Sequence, residues 1–182
     1  MTRGFWVRHG PTHEKAFVGH RDVPADLSDI ALVSRVADYI PTKAIVVASD
    51  LIRASDTASA IADGRERLPD VRALREFDFG VWDGMPFDAV AARDPKLSRL
   101  FWEQPGDITA PDGESWNMCR ARVGAVVDAM NHAHPHAHII AVAHIGVIMT
   151  QIQRAGGLNA YDTLSHKIDN LSVTQMTYDN GR

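Results

Sequence analysis

The sequence predicts an α/β fold in which a mostly parallel central sheet lies between layers of helices, a three-layer sandwich. Two observations carry that expectation. The runs AIVVAS (44–49) and HIIAVAH (138–144) are short, apolar through their interiors and rich in β-branched residues, as strands buried on both faces should be. Between them apolar residues recur at helical spacing, and strands alternating with helices build a mostly parallel sheet.

Taken in order, Phe5, Trp6 and Val7 read as a first buried strand that delivers Arg8, His9 and Gly10 at its end. An arginine beside a histidine suits an anion held between them, and a glycine lets backbone come close to it. DIALVSRVADYI sets Ile30, Val33, Val36, Ala37 and Ile40 on one helical face, with Pro41 as the stop. After AIVVAS, the segment SDLIRASDTASAIAD carries Leu51, Ala54, Ala58 and Ile61 at helical spacing. VRALRE (71–76) and NLSVTQMTYD (170–179) read as further strands. GESWNMCRARVGAVVDAM repeats the helical pattern with Trp116, Cys119, Val123, Val126, Val127 and Met130. The stretch from about 77 to 111 is dense in Gly, Pro, Phe and Trp, and reads as a cap-like excursion within a single domain spanning 1–182.

The totals narrow the function classes. With 182 residues, 45% hydrophobic and 23% charged, the chain is long enough for a full core and is not a disordered composition. A net charge of −4 argues against a general nucleic-acid binder. One cysteine, Cys119, forms no internal disulfide and fits a reducing compartment. The start MTRGFWVRHG shows no apolar leader, and no run approaches the ~20 apolar residues that span a bilayer. A cytoplasmic protein without membrane or nucleic-acid partners is expected, with room for a homodimer.

In open α/β sheets ligands gather at the carboxyl ends of the strands. Arg8 and His9 end the first strand, and Arg53 lies in the first turns after AIVVAS. Glu76 closes VRALRE, and His144 closes HIIAVA. Separate strand ends therefore bring two arginines, two histidines and one carboxylate to what should be one crevice.

The segments VRHGPT, SDLIRASDTA, LREFDFGVWDG and AHIGVI resemble, in this order and across almost the whole chain, the signature segments of the histidine phosphatase superfamily, the phosphoglycerate mutase-like fold. Residue by residue, the resemblance makes His9 the phosphoryl acceptor, surrounds the phosphate with Arg8, Arg53 and His144, and puts Glu76 on the proton donor. Thr12 matches a hydroxyl position facing the phosphoryl group, and Gly10 gives its backbone close approach. The chemistry is coherent on its own terms. Two guanidinium forks and a protonated His144 would neutralise a phosphate dianion. His9 must then be a neutral tautomer, and Glu76 must hold a proton for the leaving oxygen. No metal and no cofactor is required.

Some residues depart from the family pattern. Pro11 stands where mutases carry an acidic residue, HEKAF replaces a Trp-Asn pair, and Ile145 replaces the first of two glycines after the late histidine. A β-branched residue cannot follow a backbone with positive φ, so a different local path is expected there. The compact length, EFDFGVWDG and APDGES are similar to small phosphatases such as the α-ribazole phosphatases. The implied function is metal-independent phosphomonoester hydrolysis of a small phosphorylated metabolite. Mutase-type phosphoryl transfer and a silent phosphate-binding module stand as alternatives. HAHPHAH (132–138) reads as a solvated loop rather than a metal site, and Cys119 as core. Trp82, Phe87, Phe101 and Trp102 either line an apolar substrate pocket or form the core of the excursion.

Overall fold

A computed structural model describes residues 2–179. Strands β1 (Thr2–Arg8), β2 (Ile45–Ala48), β3 (Glu66–Arg67), β4 (His138–Ala143) and β5 (Val173–Tyr178) form one sheet in the order β3-β2-β4-β1-β5. The first four are mutually parallel and β5 pairs antiparallel with β1. The helices are α1 (Ile30–Tyr39), α2 (Ile52–Ala62), α3 (Phe87–Arg93), α4 (Pro95–Glu103), α5 (Trp116–Ala133), α6 (Ile145–Gly156) and α7 (Ala160–Thr163).

Strand alternation decides how the layers meet. Phe5, Val7, Val46, Ala48, Ile140 and Val142 point to one face, where Val36, Ala37 and Ile40 at α1 and Ala54, Ala58 and Ile61 of α2 cover them. Trp6, Val47, Ile139 and Ala141 point to the other, against Val123 and Val127 of α5 and Val147 and Ile148 of α6. Each fully buried side chain of this kind contributes about 1.5–3 kcal/mol relative to exposure. The two covered faces make the three-layer sandwich expected from the sequence. Ile30 departs from its expected face. It opens the first turn of α1 and is 73% exposed.

VRALRE is not a strand. Val71 makes a single parallel bridge to Ser49, donating its N–H to the Ala48 carbonyl at 2.8 Å, and residues 72–74 then coil into one 3-10 turn. The edge ladder breaks after Leu68, whose N–H reaches the Val46 carbonyl: the next N–H to reach β2 is that of Val71, one residue later than a regular strand would supply it. The paired stretch on that edge is instead the two-residue β3.

The segment after Glu76 forms a 3-10 turn (Gly80–Trp82) followed by α3 and α4. Phe17 ties the first loop to it: its N–H donates to the Met85 carbonyl and its own carbonyl accepts from Gly84. Trp82 and Phe101 are buried, and Trp82 Nε1 donates to Asp94 Oδ2 at 2.8 Å, so these two belong to the core of the excursion. Cys119 is buried in the main core, and burial pushes its thiol up. HAHPHAH runs from the end of α5 to the first residue of β4, at the amino ends of the strands, and His138 packs edge-on against Phe5 at 5.8 Å. Among the described residues no three His, Cys, Asp or Glu side chains gather to hold a metal, and no helix is long and apolar enough to cross a membrane.

Candidate active site

Sheet register brings the site together. Arg8 lies opposite Ala143, and Ala48 opposite Val142, so β1 and β4 end level and β2 ends one residue short of them. The next residues, His9, His144 and Ser49, therefore stand side by side beyond their carboxyl ends. The His9 and His144 rings are 5.2 Å apart, and His144 Nε2 lies 2.8 Å from Ser49 Oγ on its other side.

His9 is held at both its backbone and its ring. Its N–H donates to the Ala143 carbonyl, and its carbonyl accepts from Asn170 Nδ2 at 3.0 Å. Its Nδ1 is 2.7 Å from the Gly10 carbonyl, which can only accept, so Nδ1 carries the hydrogen and Nε2 keeps a lone pair. Burial, reinforced by Arg53 and Arg8, holds the imidazole pKa down at about 3. The neutral tautomer required of a nucleophile is the resting state. Gly10 packs against Leu27 and donates its N–H to Thr57 Oγ1 at 3.0 Å.

The two arginines are oriented by backbone carbonyls rather than by carboxylates. Arg8 Nη1 donates to the Ile168 carbonyl at 2.7 Å, and its buried Nε has no hydrogen-bond partner among the described residues. Arg53, 1% exposed, donates through Nη1 to the Arg21 carbonyl and through Nη2 to that of Gly19. Burial lowers the pKa of both, which leaves a guanidinium charged at neutral pH. Their charge is thus not spent on a protein anion in direct contact.

Glu76 sits against the start of α6. Its Oε1 accepts from the Phe77 N–H at 2.9 Å and its Oε2 from Gly146 at 3.2 Å. Burial raises its pKa, outweighing those two hydrogen bonds and the nearby Arg53 and Arg8. The Glu76 carbonyl accepts from His20 Nε2 at 3.0 Å and from Arg122 Nη2 at 2.9 Å, and Arg122 is itself paired with Glu114.

Arg8, His9, Thr12, Arg53 and Glu76 line one cavity of about 270 Å³, so five of the expected side chains meet there, with Gly10 beside them. His144 lies behind the lining, fully buried. With no anion bound, burial, then Arg53 and His9, hold its pKa well below the ordinary value, so it is a neutral neighbour of His9. Its Nδ1 has no hydrogen-bond partner among the described residues. Ile145 lines the cavity too, in the first turn of α6, with no positive φ; the helix begins directly after His144 and needs no glycine there. Gly146 is the residue that must be small, since a Cβ there would run into Glu76 Oε1 and the Phe77 ring. Phe79, Phe87 and Trp102 line the mouth, joined by Phe17 and Glu14, which the sequence reading did not single out. Of the supporting residues, Ser49 and Thr57 lay in plain view four residues either side of Arg53, one helical turn away in the case of Thr57. Asn170 and Arg122 had no such signal.

Residues 5–182 match the family model of the histidine phosphatase superfamily (branch 1). A bifunctional protein of Mycobacterium tuberculosis is 33% identical over 163 residues, covering 85% of this chain and 44% of its own length. The chain thus spans less than half of that relative. The solved structure of Bacillus stearothermophilus YhfR superposes with a TM-score of 0.89 at 24% identity, over 100% of this chain and 93% of that one. The α-ribazole phosphatase of Shigella flexneri does so with a TM-score of 0.84 at 21% identity, over 98% and 92%.

Proposed function

The chain belongs to the histidine phosphatase superfamily, and from that membership we propose that it is a phosphomonoesterase working through a phosphohistidine at His9. The observation that carries the reading is the neutral His9, its Nδ1–H fixed on the Gly10 carbonyl, in one cavity with Arg8, Arg53 and a Glu76 of raised pKa. Nε2 of His9 attacks phosphorus while the P–O ester bond breaks, and the proton of Glu76 passes to the leaving alkoxide. Water then attacks phospho-His9, Glu76 takes a proton from that water, and His9 and inorganic phosphate are regenerated.

Arg8 and Arg53 meet the charge of the phosphoryl oxygens with donors already oriented by carbonyls, so little reorganisation is needed during reaction. The unpartnered Nε of Arg8 suits one phosphoryl oxygen. Thr12 offers a hydroxyl to another. His144 enters neutral and gains a proton, or a shared hydrogen bond, when a dianion arrives beside it. The mouth is open, with Phe87 61% exposed, and access of water favours hydrolysis over retention of the phosphoryl group for transfer. The substrate is a small phosphorylated metabolite. The segments EFDFGVWDG and APDGES, and the aromatic mouth, make α-ribazole 5′-phosphate the first metabolite to test.

Brief turnover of a 32P-labelled phosphomonoester followed by alkaline quench should leave acid-labile, alkali-stable label on the peptide containing His9. The His9→Ala variant should carry no label and show no turnover. Label on a serine, or turnover that survives His9→Ala, removes the proposed intermediate.

A further inference from the structure

We propose that Glu14 and the aromatic mouth select the organic half of the substrate: the site takes phosphomonoesters whose leaving group is aromatic and bears no negative charge. This rests on the phosphomonoesterase reading above. Two independent observations support it, one of charge and one of shape.

The charges divide by depth. The cationic side chains lining the cavity are Arg8, partly buried, and Arg53, buried like His9 and Glu76, whereas Glu14 is exposed. A phosphoryl dianion engages both. The charged side chain that then remains in the lining, at the mouth, is Glu14. Arg21 does not offset it. Arg21 Nε is on Asp83 Oδ1 at 3.1 Å, its Nη2 is on the Phe17 carbonyl at 3.2 Å, and its Nη1 is 3.6 Å from Glu14 Oε1. Glu14, Asp83 and Arg21 together carry one net negative charge, and Arg21 does not line the cavity. A second anion on the substrate would meet that charge, and the described lining holds no further cation to receive it. Like charges facing one another at a binding surface are a strong source of discrimination.

The shape is set by Phe17, Phe79, Phe87 and Trp102. Phe17 is buried and holds Phe87 edge-on at 4.7 Å and Trp102 near-parallel at 6.1 Å. Phe87 and Trp102 are 61% and 39% exposed, so their ring surfaces are not used up by the core. Large exposed rings set on a buried one offer a flat partner contact area at little entropic cost.

The test uses para-substituted benzyl phosphates, whose leaving alkoxides are alike while the substituent changes charge. With a methyl, carboxylate or aminomethyl substituent, kcat/KM of the wild type should rank carboxylate lowest, about fivefold or more below methyl, with aminomethyl at or above methyl. Glu14→Gln should shrink the carboxylate penalty to under about twofold. The penalty should also shrink as salt is raised. A carboxylate compound as good as the methyl one in the wild type, or an unchanged penalty in Glu14→Gln, overturns the role of Glu14. For the rings, Trp102→Ala should lower kcat/KM on benzyl phosphate about fivefold more than on ethyl phosphate. Equal losses on both overturn the aromatic part. If none of the esters is hydrolysed, the phosphomonoesterase reading falls by itself. Kd values of the matching benzylphosphonates, measured by calorimetry on wild type and Glu14→Gln, then still decide the charge ranking.

Discussion

At the scale of single residues, the site separates two titratable groups whose environments push in the directions the chemistry wants. Burial keeps His9 unprotonated down to about 3 and keeps Glu76 protonated above the ordinary carboxylate range. The two shifts run in the opposite directions that an acid and a nucleophile need. For kcat/KM on alkyl phosphates this gives a definite sign. Activity should fall on the alkaline side, as Glu76 loses its proton through its raised pKa, with no acid limb from His9 above about 3. Glu76→Gln should lower kcat/KM on alkyl phosphates about 10²-fold or more and abolish that alkaline limb. On 4-nitrophenyl phosphate, whose leaving group scarcely needs a proton, the loss should be under about tenfold. Equal losses on both substrates exclude Glu76 as the acid of the first step. Arg8, His9, Arg53 and His144 were legible in the sequence because each ends, follows or starts an element whose pattern is strong, whereas Glu76 was legible through the family resemblance of LREFDFGVWDG, the strand it was expected to close being absent. The lowered pKa of His144 in the anion-free site was not legible. It depends on full burial behind His9, to which the matched ends of β1 and β4 contribute.

Secondary-structure elements place these groups, and the junction of β4 and α6 is the most exacting. There, His144, Ile145 and Gly146 follow one another with no loop, so the first turn of α6 supplies a backbone N–H to Glu76. Gly146→Ala would set a methyl into Glu76 Oε1 and the Phe77 ring, both of them buried. Overpacking of this kind costs about 1–3 kcal/mol, which urea unfolding should read as a lower midpoint at unchanged slope. The variant should also lose activity on alkyl phosphates more than on 4-nitrophenyl phosphate, because the displaced group is the acid. Wild-type stability and selectivity in Gly146→Ala would mean that α6 does not hold Glu76. Element reading from sequence succeeded where periodicity was long, as in α2 and α5, and failed at VRALRE. Six residues of strand-like composition could not reveal that the edge ladder breaks after Leu68 and that Val71 makes only one bridge. Phe17 and Glu14 were overlooked for a similar reason. They lie in a loop without regular structure, and their position at the mouth follows from the bonding of Phe17 to Met85 and Gly84 across the excursion.

For the molecule as a whole, burying two neutral imidazoles between cations links folding to pH. In the unfolded chain His9 and His144 take up protons near the ordinary value of about 6.5. In the fold His9 resists protonation down to about 3, and His144 is also held well below that ordinary value. The native state therefore binds fewer protons than the unfolded state at mildly acid pH, so the contribution is fully present above the unfolded pKa and is lost as pH falls towards the folded one. Each group contributes a slope of at most about 1.4 kcal/mol per pH unit in that window. Without phosphate present, Tm should fall steadily between about pH 6.5 and pH 5. His9→Asn removes one imidazole, and its Tm should decline less steeply over the same range. Inorganic phosphate should oppose the decline, since an anion beside the rings favours their protonated forms and stabilises the fold by mass action. A His9→Asn slope equal to that of the wild type would show that His9 is protonated normally inside the fold. Its service as a resting-state neutral nucleophile would then have to be abandoned along with the linkage.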